Sequence, residues 1–322
     1  MAKLVKGIIA AMVTSMYDDE SLNNEEIKNQ VNRQIAAGVD GVFCLGTNGE
    51  AYILSEDEKL RIIETVVKTA DGRVPVYAGT GMPGTADTIR LSRKAKELGV
   101  DVLSVISPYF AAISQDEIYN HYAELASAVD LPVVMYNMPA RTGNNINPDT
   151  VARLSKVPGI VGVKDSSGNF DNMKQYIELT DPETFSVLSG NDALILWNLL
   201  AGGSGGITAV ANIYPEVMVS IYQHFLAGDL EAAKKAQDSI RPIRNCFKFG
   251  NPNTVTKTAA RLAGNPVGPC RRPFSSLSDA AVAKIKETVE ADHARGMKYF
   301  SPLPKHNNNQ KCQPSTLVAG IL

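Results

Sequence analysis

The 322-residue chain is 44% hydrophobic, enough for one large domain or two ordinary ones with a sizeable core. Lys and Arg number 32 against 34 Asp and Glu, a formal charge of −2, which excludes the basic field of non-specific nucleic-acid binding and points to small molecules as partners. No apolar run reaches the roughly 18 residues of a membrane-spanning helix, and "MAKLVKGIIAAMVTSMYDDE" breaks off too early for a secretory signal, so a cytoplasmic protein is expected.

In chain order, the β-rich runs "GIIAAMVTSM", "GVDGVFCLGT", "VPVYAGTG", "VDVLSVISP", "LPVVMYNMP", "IVGVKDSS", "FSVLSGND" and "GGITAVAN" alternate with amphipathic segments. That is the pattern of a parallel sheet with helical crossovers. In the first amphipathic segment Ile27, Val31 and Ile35 recur every four residues, and Gly38 stands where a C-terminal cap belongs. Ser55 with Glu58 and Ser114 with Glu117 have capping-box spacing, and Asn147 before Pro148 fits an N-cap followed by proline in the first turn.

About eight strand-helix units in roughly 220 residues is the length of a closed (β/α)8 TIM barrel. An open doubly wound sheet would carry a glycine-rich phosphate turn after its first strand, which "MVTSMYDDESL" lacks. Beyond about Tyr214 the β-rich runs stop and helical patterns follow. The expected layout is a barrel over 1–225, a C-terminal helical extension over 226–300, and a loosely ordered Pro/Asn/Gln-rich tail over 301–322.

Barrel chemistry belongs at the C-terminal ends of the strands. In "GIVGVKD" period-2 alternation puts Ile160, Gly162 and Lys164 on one face, and Gly162 leaves space beneath the lysine if that face points inward. Desolvation there disfavours the ammonium form and leaves an amine able to attack a carbonyl, as in a Schiff-base enzyme. The competing reading is a lysine that ends its strand and snorkels to solvent.

Other strand ends carry similar pairs of readings. Tyr136 closes an apolar run, either as a proton donor at a carbonyl or imine or as a core tyrosine with a satisfied hydroxyl. Arg141, just beyond, fits bidentate binding of a carboxylate or a solvated loop position. In "CLGTNGEAY" glycines flank Thr47 and Asn48, which fits an anion cradle or a plain tight turn. The glycines of "AGGSGGITAVAN" leave a phosphosugar enzyme open, or simply let backbones approach.

Of the histidines, His121 and His224 fall in helical segments and His293 and His306 near the C-terminus, so packing or surface positions are expected and no metal or cofactor is implied. Cys44, Cys246, Cys270 and Cys312 lie too far apart for zinc or redox motifs. Asp165 and Glu50 read as loop carboxylates that cap helices or pair with neighbours.

Taken together, "GTNGE" (Gly46 to Glu50), "YNMPARTG" (Tyr136 to Gly143), "GVKDSSG" (Gly162 to Gly168) and "LSGNDA" (Leu188 to Ala193) resemble the family of dihydrodipicolinate synthase and N-acetylneuraminate lyase, from about Leu4 to about Tyr299. The resemblance implies a class I aldolase-type barrel in which Lys164 forms a Schiff base with pyruvate or another 2-oxo acid. It further implies Tyr136 as acid/base, Thr47 and Asn48 on the 2-oxo acid carboxylate, the Ile207 carbonyl near the substrate, an aldehyde as second substrate, and a homotetramer built as a dimer of dimers.

Within the family, Arg141 looks like the synthase arginine that receives the carboxylate of aspartate semialdehyde. Two departures oppose it. Synthases usually read Thr-Thr where this chain has Thr47-Asn48, and "SPYF" puts Phe110 where they carry a tyrosine that reaches into the neighbouring subunit's site and completes a proton relay. Phenylalanine can neither donate nor accept that proton, so the relay is replaced, bypassed by water, or unnecessary. Glu56, Lys59 and Pro83 stand where lysine-inhibited synthases carry their effector residues, and no lysine feedback is expected. Three readings follow: a synthase using pyruvate and aspartate semialdehyde, an aldolase or dehydratase of 2-oxo-3-deoxy sugar acids or hydroxylated 2-oxo acids, and a catalytically silent barrel that binds a 2-oxo acid.

Overall fold

Each β-rich run forms a strand: β1 (Gly7–Ala11), β2 (Gly41–Cys44), β3 (Val76–Ala78), β4 (Val102–Ile106), β5 (Val133–Asn137), β6 (Ile160–Asp165), β7 (Ser186–Ser189) and β8 (Gly205–Thr208). They pair parallel in sequence order, and β8 closes on β1 with Ile207 opposite Ile9. The fold is the (β/α)8 TIM barrel. The computed structural model describes residues 5–274 and 276–297, so the segment 301–322, with His306 and Cys312, lies outside the described residues.

Between the strands run α1 (Asn24–Ala36), α2 (Glu56–Ala70), α3 (Thr85–Glu97), α4 (Gln115–Ala128), the short α5 (Pro139–Thr142) with α6 (Pro148–Leu154), α7 (Phe170–Glu178) and α8 (Ile195–Leu200). After β8 come α9 (Pro215–Leu226), which packs back on β1, and α10 (Leu230–Ser239), α11 (Arg241–Asn245), α12 (Pro252–Leu262) and α13 (Asp279–Ala294). Both capping boxes form, at Ser55/Glu58 and Ser114/Glu117. Asn147 departs from expectation: Pro148 is in the first turn of α6, but the Asn147 side chain caps nothing there. Its Oδ1 accepts instead from Asn145 Nδ2, two residues back, and its backbone N–H donates to Gln115 Oε1 of α4.

One buried apolar cluster draws a side chain from every strand: Ile9, Phe43, Tyr77, Val102, Val134, Val161, Leu188 and Ile207. This is the barrel interior, a packed core in which each fully buried aliphatic contributes about 1.5–3 kcal/mol. A larger cluster fills the layer between sheet and helices.

Simple alternation fails at the start of β6. The register with β5 shifts between Val133 and Val134, so that Ile160 pairs with Val133 and Gly162 with Val134. Val161 is the extra residue of a β-bulge, and it joins the interior while Ile160 packs in the outer layer. Ile160 therefore does not share a face with Lys164, as strict period-2 spacing predicts. Gly162 and Lys164 keep the inward face because the bulge lies before them.

The C-terminal helices reach the mouth of the barrel. Asn253, at the start of α12, donates to the Thr47 carbonyl at 2.8 Å across 206 residues of sequence. The connection after α12 lies against the segment following β1: Met16 N–H donates to the Val267 carbonyl at 3.1 Å. At Gly268 (φ +73) a Cβ would sit 1.7 Å from the Met16 carbonyl oxygen, so no side chain fits there. Cys44, Cys246 and Cys270 are buried free thiols. No helix among the described residues is long and apolar enough to cross a membrane.

Candidate active site

Lys164, near the end of β6, stands beside Tyr136 of β5 and Leu188 of β7 in register. It is 4% exposed. Its Nζ lies 3.9 Å from the centroid of the Tyr136 ring and 5.2 Å from that of Phe43. Those aromatic faces stabilise a cation without supplying a counter-charge, and among the described residues no carboxylate pairs with Lys164. Gly190 makes room for it: a Cβ there would come 2.9 Å from Lys164 Cε and 1.9 Å from Ser166 Oγ. Gly162, expected to leave that space, instead lies close to the Ser186 carbonyl of β7, 2.6 Å from where a Cβ would be.

Above the Phe43 and Tyr136 rings opens a cavity of about 310 Å³, lined also by Thr47, Tyr52, Gly81, Ser104, Tyr109, Arg141, Asn251, Asn253 and Phe274. Tyr136 is 3% exposed, and its Oη is 3.1 Å from Thr47 Oγ1 and 2.9 Å from Met138 Sδ. Arg141 lies in α5, exposed at the rim, where Pro139 starts a single helical turn closed by Gly143 at φ +76. The structure thus brings Lys164, Tyr136, Thr47 and Arg141 to one end of the barrel. Asn48 is half-buried beside Thr47 but does not line the cavity, and the Ile207 side chain is packed in the barrel interior.

The Thr47 loop is held by strain and charge together. Leu45 and Glu50 flank it with φ of +60 and +57, left-handed conformations that non-glycine residues adopt only under tertiary constraint. The constraint is visible at Glu50, fully buried, whose carboxylate meets Lys257 Nζ of α12 at 2.6 Å and accepts the Arg271 N–H at 2.9 Å. Glu50 is therefore a pairing carboxylate. Asp165 is another: it faces away from the cavity, accepts from Asn137 Nδ2 at 2.9 Å and Ser167 Oγ at 2.8 Å, and burial pushes its pKa up. In "LSGNDA", the Asp192 carboxylate accepts the Ala209 N–H at 3.0 Å and meets Arg244 at 3.3 Å, which braces the end of β8.

Burial also raises the Tyr52 phenol, to about 12, with the Glu50 carboxylate adding to the shift. His121 is buried in α4 with Nδ1 2.9 Å from Thr85 Oγ1, a packing position in which desolvation lowers its pKa to about 4. Among the described residues no three His, Cys, Asp or Glu side chains are grouped to hold a metal. At the rim, Phe110 has φ +84 and is 100% exposed, next to the cavity-lining Tyr109. Glu56 is paired with Arg90 and Lys94, and Lys59 is buried with Nζ 3.5 Å from Met82 Sδ.

Sequence reasoning missed Met138, Asn253, Lys257 and Phe274. Met138 sits inside a motif already singled out, but a thioether carries no local signal of polar contact. The other three reach the mouth from the C-terminal region, and no spacing rule connects them with residues near position 47.

Residues 4–292 match the dihydrodipicolinate synthetase family. A 4-hydroxy-tetrahydrodipicolinate synthase of Methanoculleus marisnigri is 38% identical over 289 residues, 89% of this chain and 99% of the relative, and one of Listeria welshimeri is 40% identical over 286 residues, 88% and 97%. Among solved structures, a dihydrodipicolinate synthase of Bacillus anthracis superposes with a TM-score of 0.86 at 31% identity, covering 90% of this chain and 99% of its own. YagE, an Escherichia coli K12 prophage protein of that family in complex with pyruvate, gives 0.87 at 31% with the same coverage. With eight strands in the same closed order and the lysine, tyrosine and threonine gathered at one end, this chain belongs to the dihydrodipicolinate synthetase family, whose members are class I aldolase-type lyases.

Proposed function

We propose that the chain is a 4-hydroxy-tetrahydrodipicolinate synthase-like lyase that joins pyruvate to aspartate semialdehyde through a Schiff base on Lys164. The observation that carries this reading is a buried lysine, with no carboxylate partner among the described residues, set against the ring of a tyrosine whose hydroxyl contacts a threonine at 3.1 Å. An amine so placed attacks the C2 carbonyl of a 2-oxo acid: the C–N bond forms, and the carbonyl oxygen takes up protons and leaves as water. The resulting iminium draws electrons from C3, a methyl proton leaves, and the enamine carbon attacks the aldehyde.

Tyr136 moves protons at the carbonyl and imine, with Thr47 next to its oxygen. Thr47 in the cavity wall, with Asn48 next to it in the loop, is assigned the pyruvate carboxylate by the family resemblance, as the Ile207 backbone carbonyl is assigned to the substrate, and Arg141 at the rim is assigned the carboxylate of the second substrate. No cofactor enters this scheme. A cytoplasmic homotetramer is the assembly proposed, with the exposed, strained Phe110 covered by a second copy.

Phe110 also favours a second reading, an aldolase or dehydratase of 2-oxo-3-deoxy sugar acids, because its ring brings no hydroxyl to a relay. A silent 2-oxo acid-binding barrel is the remaining alternative. Mass spectrometry after incubation with pyruvate and borohydride decides first: a reduced pyruvyl adduct on Lys164, absent from Lys164→Ala, is expected. A folded wild type without adduct would remove the Schiff-base reading. With an adduct in hand, turnover with aspartate semialdehyde against a panel of sugar aldehydes separates the two enzyme readings.

A further inference from the structure

Three heteroatoms meet above Lys164: Thr47 Oγ1, Tyr136 Oη and Met138 Sδ, at 3.1 Å between the oxygens, 2.9 Å from Oη to sulfur and 3.6 Å from Oγ1 to sulfur. Between them they carry two protons, one on each hydroxyl. A thioether has none, and it accepts only weakly. The sulfur therefore gives the group a direction. With the shorter contact going to sulfur, the phenol O–H points to Met138 and the Thr47 O–H donates to the phenol oxygen.

The methionine is held for this. It lies between β5 and α5, and its carbonyl accepts the Arg141 and Thr142 N–H groups at 3.0 and 3.1 Å and the Thr142 hydroxyl at 3.2 Å. The turn that puts Arg141 at the rim thus also fixes the backbone from which the sulfur reaches back to the preceding strand. We propose that Met138 is a positioning residue for Tyr136, its sulfur parking the phenol proton on a weak acceptor from which a substrate oxygen can take it.

This inference rests on the reading of Tyr136 as the acid/base. Its chemical content is that the sulfur sets the direction of the phenol O–H, and removing the sulfur takes that acceptor away. It also releases the phenol O–H to turn towards Thr47, which reverses the direction of donation between the two hydroxyls.

The test uses pyruvate alone, so the identity of the aldehyde does not enter. Exchange of the pyruvate methyl protons with D2O, followed by NMR over a range of pyruvate concentrations, is compared for wild type, Met138→Leu and Tyr136→Phe. Leucine keeps the volume and loses the acceptor. Loss of one hydrogen bond of about 1.4 kcal/mol predicts a roughly tenfold fall in kcat, with KM for pyruvate within about twofold. Tyr136→Phe is expected to lose exchange altogether, and the fall in Met138→Leu is expected in kcat rather than in KM.

Wild-type kcat in Met138→Leu would overturn the proposal, as would a rise in KM for pyruvate that matches the fall in kcat, which is a packing effect. Met138→Val, also without sulfur, is read in the same way if the leucine variant fails to fold. Failure of the underlying reading looks different: Tyr136→Phe would then keep its exchange rate, whereas loss in Tyr136→Phe with an unaffected Met138→Leu sinks the methionine proposal alone.

Discussion

Lys257→Met isolates the link between the C-terminal helices and the Thr47 loop. Lys257 and Glu50 are 1% and 0% exposed, with Nζ and Oε1 2.6 Å apart. The lysine's hydrogen bond goes to the Pro269 carbonyl at 2.6 Å, so its hold on Glu50 is mainly Coulombic. Removing the ammonium leaves a buried carboxylate without its counter-charge, still accepting the Arg271 N–H at 2.9 Å. Breaking a buried pair in this way costs about 3–5 kcal/mol. For a chain of this size that is a fall in Tm of about 4–7 °C.

The same change releases Glu50 from its left-handed conformation and shifts Thr47, so kcat/KM for pyruvate should fall as well. Calorimetry of wild type, Lys257→Met and Lys257→Met/Glu50→Gln measures the term. The double variant, which leaves no uncompensated charge, should regain most of the lost stability. A single variant that melts within about 2 °C of wild type would refute the argument that this pair holds the loop.

On the proposed role of Arg141, a bidentate carboxylate contact worth about 1.5–3 kcal/mol, Arg141→Ala should lower kcat/KM for aspartate semialdehyde about 10- to 100-fold while trapping of pyruvate on Lys164 is unchanged; equal loss for both substrates would contradict the proposal. Phe110→Tyr should raise kcat with aspartate semialdehyde if the synthase reading holds, and unchanged steady-state rates would mean the relay hydroxyl is unnecessary. Lysine at millimolar concentration should leave turnover unaffected, because Glu56 is occupied by Arg90 and Lys94 and Lys59 is a buried cation; inhibition in a lysine titration would refute this. The Arg271 guanidinium holds Glu58 down to about 2 from an ordinary 4.5. Its folded pKa being the lower, the stabilisation, up to about 3 kcal/mol, is full above the ordinary value and lost as pH falls towards 2. Urea titrations at pH 6 and 3 should therefore show a smaller pH difference for Glu58→Gln than for wild type, and equal differences would remove the pair from the account.

The sequence by itself determined the features that depend on neighbours along the chain. Eight β-rich runs, the stripe of Ile27, Val31 and Ile35, and the capping boxes at Ser55 and Ser114 are settled within a few residues, because alternation, helical periodicity and cap geometry are local. Three motifs placed Tyr136 and Lys164 at strand ends and Thr47 and Arg141 in the segments just beyond them, and barrel closure then brings strand ends together.

The tertiary structure decided what distant segments impose on one another. Gln115 of a neighbouring helix took the Asn147 backbone N–H, and the bulge at Val161 turned Ile160 to the outer layer because β6 had to keep register with β5. Gly190 rather than Gly162 made room for the lysine, and Asn253 and Lys257 closed on the Thr47 loop across more than two hundred residues. Such contacts form only when packing puts two remote stretches within hydrogen-bonding distance, and that distance is a property of the closed barrel, not of any stretch of chain.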